Sequence, residues 1–203
     1  HDTIIMIRIS TLLFFSILTL TASAQKRDLA EYANTLQGTD SRFELSNGNT
    51  YPATALPFGL HVWSAQTGVN GDGWKYQYEK DSIRGFQQAH QCSPWAKDYN
   101  VFSLMPVVGD LKVDQYGRAA KFSNDDEVAR PYYYAVKLDN GARVEFSPTE
   151  RCAHFRFSYP AREKAYLVLD GYISFSVVNI EPERNRITGW VNHQSHEGYK
   201  NYY

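Results

Sequence analysis

Apolar and polar residues alternate most regularly in the second half of the chain. From Cys152 to Tyr159, the positions Ala153, Phe155, Phe157 and Tyr159 interleave with Cys152, His154, Arg156 and Ser158. That is the two-residue period of a strand with one face in a core. Two further strand-like runs, Tyr132–Leu138 and Ala142–Ser147, flank Asp139, Asn140 and Gly141, and Asn-Gly meets the positive-φ demand of a tight hairpin turn. Ala165–Leu169 is apolar on both faces, which predicts an interior strand, and residues 173–180 and 186–193 continue the series at hairpin spacing. A helical period occurs in Asp28–Leu36, where Leu29, Tyr32, Ala33 and Leu36 follow a candidate N-cap at Asp28 and Gly38 ends the run. Between Thr39 and Trp95 the breakers are closely spaced, among them Asn47-Gly48-Asn49, Gly71-Asp72-Gly73 and Ser93-Pro94. This stretch reads as loop-rich, and long ordered loops are where binding residues concentrate. The run Asn124-Asp125-Asp126-Glu127 lacks the alternating ligands and glycine of an EF-hand loop and reads as a solvated turn. The fold class expected is mainly β: a large antiparallel β-sandwich with one short N-terminal helix.

The first residues read as an address. Arg8 precedes the apolar run Thr11–Leu20, and Ala22-Ser23-Ala24 offers the small-residue pattern of a secretory cleavage site. Residues 1–24 are expected to be a signal peptide, with 1–5 as read-through upstream of Met6, and residues 25–203 a sandwich domain. The run is short for a membrane span, so the expected location is secreted or periplasmic, with no span after cleavage.

Composition narrows the chemistry. A net charge of -1 gives no electrostatic reason to expect nucleic acid as a partner. Aromatic residues make up 15% of the chain, with 15 tyrosines, and tyrosine and tryptophan join an apolar face to a polar edge, which suits sugar binding as well as β-sheet cores. Of the two cysteines, Cys92 and Cys152, neither lies in a CxxC pair, which argues against zinc. They can pair in an oxidising compartment, although a free buried thiol at each is the preferred reading, with Cys92 alternatively touching a ligand.

Several ordered blocks carry a resemblance. Gly38-Thr39-Asp40 comes first, then Gly48-Asn49-Thr50-Tyr51-Pro52-Ala53 with Leu56-Pro57-Phe58-Gly59. Gly73-Trp74-Lys75-Tyr76-Gln77-Tyr78 precedes Ile83-Arg84-Gly85-Phe86 and Ala89-His90-Gln91-Cys92-Ser93-Pro94-Trp95. Asp98-Tyr99, Phe102-Ser103-Leu104-Met105-Pro106-Val107, Ala129-Arg130-Pro131-Tyr132-Tyr133-Tyr134 and Thr149-Glu150-Arg151-Cys152 follow. The set resembles the N-terminal part of glycoside hydrolase family 92, and departs from it at Cys92-Ser93-Pro94-Trp95, where many members carry a Ser-Gly-Thr-Gly type of turn. The resemblance implies an exo-acting, inverting α-mannosidase whose β-sandwich packs on a helical catalytic domain, with a calcium ion in the site. It places the acid and base carboxylates in that later domain, so no catalytic residue and no metal ligand is expected in this chain. Mannose-containing glycans such as N-glycans, and the helical domain itself, are the partners it implies.

Substrate contact falls to the loops. A pyranose offers C–H faces and hydroxyl edges, so its site needs an aromatic platform and a few orienting polar groups. Trp95 beside Cys92, Ser93, His90 and Asp98 supplies that combination, against the alternative that Trp95 only plugs the core. His90 either donates to a sugar hydroxyl or braces the loop, and His154 reads as structural. One of Trp74, Tyr76 and Tyr78 lines the site while the others pack, by strand alternation. Asp40 is a further candidate contact, or an Asx-turn former. Inverting hydrolysis needs two carboxyls about 6.5 to 9.5 Å apart, and the sequence marks no such pair. A stand-alone carbohydrate-binding sandwich and a purely structural exported domain are the competing readings.

Overall fold

A computed structural model describes residues 28–42, 44–45, 48, 50–56, 59–69, 75–89, 102–171, 176–192 and 200–203; the expected signal segment lies outside them. The strands are β1 (Val62–Gln66), β2 (Ser82–Ile83), β3 (Gly85–Ala89), β4 (Ser103–Val108), β5 (Ala120–Arg130), β6 (Tyr133–Leu138), β7 (Arg143–Pro148), β8 (Ala153–Ser158), β9 (Ala165–Asp170), β10 (Ser176–Glu181), β11 (Arg186–Val191) and β12 (Asn201–Tyr202). They form sheets of order β1-β3-β4-β9, β2-β5-β6-β7-β8 and β10-β11-β12, and all their pairings are antiparallel.

The core lies between the four- and five-stranded sheets. Trp63 of β1 meets Phe155 of β8 edge-on at 4.9 Å between ring centroids, and Phe86 of β3 meets Phe146 of β7 at 6.1 Å. Tyr134 stacks on Phe146 at 5.0 Å. Edge-to-face and offset contacts of this kind add to the burial of large apolar area, so the sandwich is closed by aromatics from both layers.

Local signals account for much of this. The β6–β7 hairpin turns at Asn140-Gly141: Gly141 has φ 86° and the Leu138 amide donates to the Ala142 carbonyl at 2.8 Å. A methyl group at Gly141 would also lie 2.7 Å from Pro160 Cγ, so the site demands glycine both for its backbone and for its space. In β8 the inward set Ala153, Phe155 and Phe157 packs on the core while His154, Arg156 and Ser158 are exposed, as alternation predicts. The Asp28 side chain caps as expected, accepting from the Ala30 amide at 3.1 Å. The helix itself is a 3-10 turn, Leu29–Tyr32, with no buried residue.

Four expectations need correction. The stretch from Thr39 to Trp95 contains β1, β2 and β3, short strands whose pairings outweigh the surrounding breakers. Ala165–Leu169 is not interior: β9 pairs with β4 alone among the described residues, and Leu167 is 47% exposed. Asn124–Glu127 is strand, not turn, within β5. The register with β6 shifts between Phe122 and Glu127, and such an irregularity re-aims side chains. Cys152 is a free thiol but an exposed one, at the turn before β8.

Candidate functional site

Six of the seven predicted contact residues, Trp95, His90, Ser93, Asp98, Cys92 and Trp74, lie outside the described residues; Asp40 lies within them. The flanks of the motif stretches are well defined. Ala89 ends β3 and Ser103 begins β4, with Phe86 paired to Leu104, Gln87 to Ser103, and the Gln88 amide donating to the Phe102 carbonyl at 3.3 Å. Trp63 faces Gln88 across β1 and β3, and its ring packs edge-on against Phe102 at 5.7 Å. Among the described residues the indole Nε1 of Trp63 and Oε1 of Gln88 are buried without a hydrogen-bond partner. Unsatisfied polar atoms are costly in a low-dielectric interior, which marks this end of the sheet as locally unfavourable.

The blocks that carried the resemblance meet in space. The Tyr78 amide donates to the Thr39 carbonyl at 3.1 Å, Ala55 to Pro131 at 2.8 Å and Leu60 to Glu150 at 2.9 Å. Behind the Gly73-Trp74 block, the Lys75 carbonyl accepts from Thr67 at 2.7 Å, and the Gln77 amide donates to Thr67 Oγ1 at 2.9 Å. Gln77 Nε2 donates to the Ser41 carbonyl at 2.9 Å. Asp40 is exposed in this neighbourhood, lining a small cavity of about 70 Å³ with Ser41, Arg42, Leu45, Gln77 and Glu79. Strand alternation does not govern Lys75–Tyr78, which is not a strand. Tyr76 is buried and packs, whereas Tyr78 is 42% exposed.

Tyr76 ends at a carboxylate that sequence reasoning missed. Glu127 Oε2 accepts from the Tyr76 hydroxyl at 2.7 Å, and Oε1 accepts from the Tyr134 hydroxyl. Asn124 Nδ2 donates to the Tyr78 carbonyl at 3.2 Å. Burial raises the Glu127 carboxyl above its ordinary value, against the lowering effect of the two tyrosine bonds. A raised carboxyl is a familiar mark of a proton donor, but both oxygens here are engaged by side chains of the sandwich interior. Glu127 therefore braces the motif loop through Tyr76 and is not placed to protonate a ligand. Only its position opposite β6, set by the irregular register, makes it visible, and no sequence signal carries that.

A second polar lattice supports the other flank. Arg118, with a side chain 1% exposed, donates to the Arg84 carbonyl at 2.9 Å, the Val113 carbonyl at 2.8 Å and Asp170 Oδ2 at 2.7 Å. Arg84 in turn donates to the Thr67 carbonyl. His154, read from sequence as structural, is exposed on the outward face of β8. Among the described residues no three His, Cys, Asp or Glu side chains converge as metal ligands.

The described residues thus form an antiparallel sandwich with an aromatic core. Residues 32–203 match the Glycosyl hydrolase family 92 N-terminal domain, and the chain belongs to that family. Its fold is similar to that of a family GH92 inverting mannosidase of Bacteroides thetaiotaomicron, with 43% sequence identity, a TM-score of 0.83 and coverage of 89% of this chain and 25% of that one. A GH92 alpha-mannosidase of the same organism gives 26% identity and a TM-score of 0.64, over 82% of this chain and 24% of that one. An uncharacterized secreted glycosidase of Arthroderma benhamiae is 28% identical over 162 residues, which is 76% of this chain and 20% of the relative. The chain thus spans about a quarter or less of the length of these relatives. No helix among the described residues is long and apolar enough to cross a membrane.

Proposed function

We propose that this chain is the N-terminal, substrate-site domain of an exported, inverting exo-α-mannosidase that trims mannose-containing glycans such as N-glycans. The observation that carries the reading is the match of residues 32–203 to the family's N-terminal domain, supported by 43% identity to an inverting mannosidase over 89% of the chain. In this reading the sandwich holds the loop of His90, Cys92, Ser93, Trp95 and Asp98 against the sugar, with Trp74 and Asp40 nearby, and the hydrolytic carboxyl pair comes from a following helical domain. Among the described residues the partly buried carboxyl of Glu127 has both oxygens engaged by tyrosines, so it is not offered as one of that pair. In this reading the calcium ion is held mostly by ligands of that following domain.

The test compares residues 25–203 with the chain extended through the following domain. The extended protein is expected to release mannose from α-mannosides with inversion at the anomeric carbon, followed by NMR, and to lose activity on chelation. The shorter protein is expected to be inactive. Turnover by residues 25–203 alone would overturn the division of labour, and an extended protein inactive on every α-mannoside would overturn the substrate class.

A further inference from the structure

The outward face of the five-stranded sheet carries a groove that the proposed reaction does not use. It has a volume of about 120 Å³ and is lined by Tyr133, Glu145, Phe146, Ser147, His154 and Arg156. Strand register brings these residues together: Glu145 faces Arg156 and Ser147 faces His154 across β7 and β8. Tyr133 on β6 donates its hydroxyl to Glu145 Oε1, and Arg143 Nη2 lies 3.6 Å from the same oxygen. Among the described residues, both of these contacts fall on Oε1. The Tyr133 bond, with the Arg143 and Arg156 charges, lowers the Glu145 carboxyl below its ordinary value, although partial desolvation opposes this, so it is ionised at neutral pH. His154 and Arg156 are exposed, and the Glu145 side chain is 20% exposed.

Paired in this way, a fixed acceptor and a guanidinium fork match a particular chemistry. Adjacent hydroxyls on a sugar ring each donate and accept. A carboxylate accepts a hydrogen bond from one hydroxyl while a guanidinium donates to its neighbour, and charge-assisted bonds of this kind are the stronger ones. The hydroxyl of Ser147 and the imidazole of His154 extend the polar edge, and the Tyr133 ring supplies an apolar wall. Among the described residues Glu145 is the only carboxylate lining the groove, and it is held from within the sheet by Tyr133 and Arg143, so its geometry is set before any ligand arrives.

We propose that this groove is a second saccharide-binding site, which takes a neutral hexopyranose through a vicinal pair of hydroxyls held between Glu145 and Arg156. The proposal rests on the reading of the chain as part of a glycan-processing enzyme. It gives the sandwich a hold on the glycan separate from the residue being cleaved.

The test is a titration of the 203-residue chain with methyl α-mannopyranoside, followed by amide NMR, with glucuronate as the anionic arm. Saturable shifts are expected at Tyr133, Glu145, Ser147, His154 and Arg156. Glu145→Ala and Arg156→Ala, each with an unchanged melting temperature, are expected to weaken binding at least about tenfold, or 1.4 kcal/mol. An absence of saturable shifts at these residues, or wild-type affinity in Glu145→Ala, would sink the proposal. Tighter binding of glucuronate than of the mannoside would also overturn it, by assigning the groove to anions. None of these results bears on hydrolysis by the extended enzyme, so a mannosidase with no saccharide in this groove would refute this inference alone.

Discussion

The guanidinium of Arg118 and the carboxylate of Asp170 meet at 2.7 Å, with the arginine side chain 1% exposed and the aspartate 18%. Breaking a buried pair by neutralising one partner is costly, because the remaining charge is left in the low-dielectric interior. Asp170→Asn is expected to lower the unfolding free energy by about 3 kcal/mol, measured by urea titration. Lys121→Ala, at an ion pair with Asp81 in which both side chains are 69% exposed, should change it by less than about 1 kcal/mol.

Glu127 gives a pH prediction. Its carboxyl is raised in the folded protein above the ordinary value of 4.5, so the native state binds the proton more tightly than the unfolded chain. Its contribution to stability is full below about pH 4.5, falls as pH rises through the folded value, and is level above it. Glu127→Gln removes this slope, while the loss of a good acceptor for one tyrosine hydroxyl costs about 1 to 3 kcal/mol. Denaturant melts of both proteins across pH 4 to 8 check the point: their stability difference should change with pH in this sense, and parallel curves would contradict it.

Phe146 lies at the centre of the ring cluster, 1% exposed and in contact with Phe86, Tyr134 and Phe155. Phe146→Ala should destabilise by about 3 to 5 kcal/mol through lost burial and a cavity. Leu29→Ala, at a residue 76% exposed, should stay within about 0.5 kcal/mol. Thermal melts of the two variants provide the comparison.

Trp95 tests the proposed sugar platform. In the extended enzyme Trp95→Ala is expected to lower kcat/KM by roughly 10 to 1000 fold, or about 1.4 to 4 kcal/mol of transition-state stabilisation. Stability should fall by less than the roughly 3 to 5 kcal/mol typical of a core tryptophan. Kinetics and melting on one protein separate the two roles: a collapsed melt with wild-type kcat/KM would make Trp95 a packing residue.

The parts of the fold readable from sequence were those set by neighbours in the chain. Alternation in β8, the Asn140-Gly141 turn and the Asp28 cap depend on residues a few positions apart. Whether Ala165–Leu169 lies inside or at the edge of a sheet depends on pairing with β4, which no local pattern encodes. The acidic run at Asn124–Glu127 looks like a turn until Tyr76 and Tyr134 supply the hydroxyls that make a buried carboxylate tolerable. Of the predicted contact residues, only Asp40 received a place in the structure, beside Gln77 and the motif segment. Of the groove residues, Arg156 was readable as an outward position of its strand, whereas Tyr133 and Glu145 were readable only as members of strands. Their convergence is a property of register across those strands.

The order of strand pairing also sets a timetable for folding. β5, β6, β7 and β8 form a meander of consecutive neighbours, so each pairing there closes a short loop. By contrast, β4 must wait for β9, joining Ser103 to Asp170 across the whole length of that meander. Closure entropy grows with the length of chain enclosed, and non-local pairings are the slow ones. The β5–β8 meander is therefore expected to zip from its hairpins, while the pairings of β2 with β5 and of β4 with β9 are expected to be completed later.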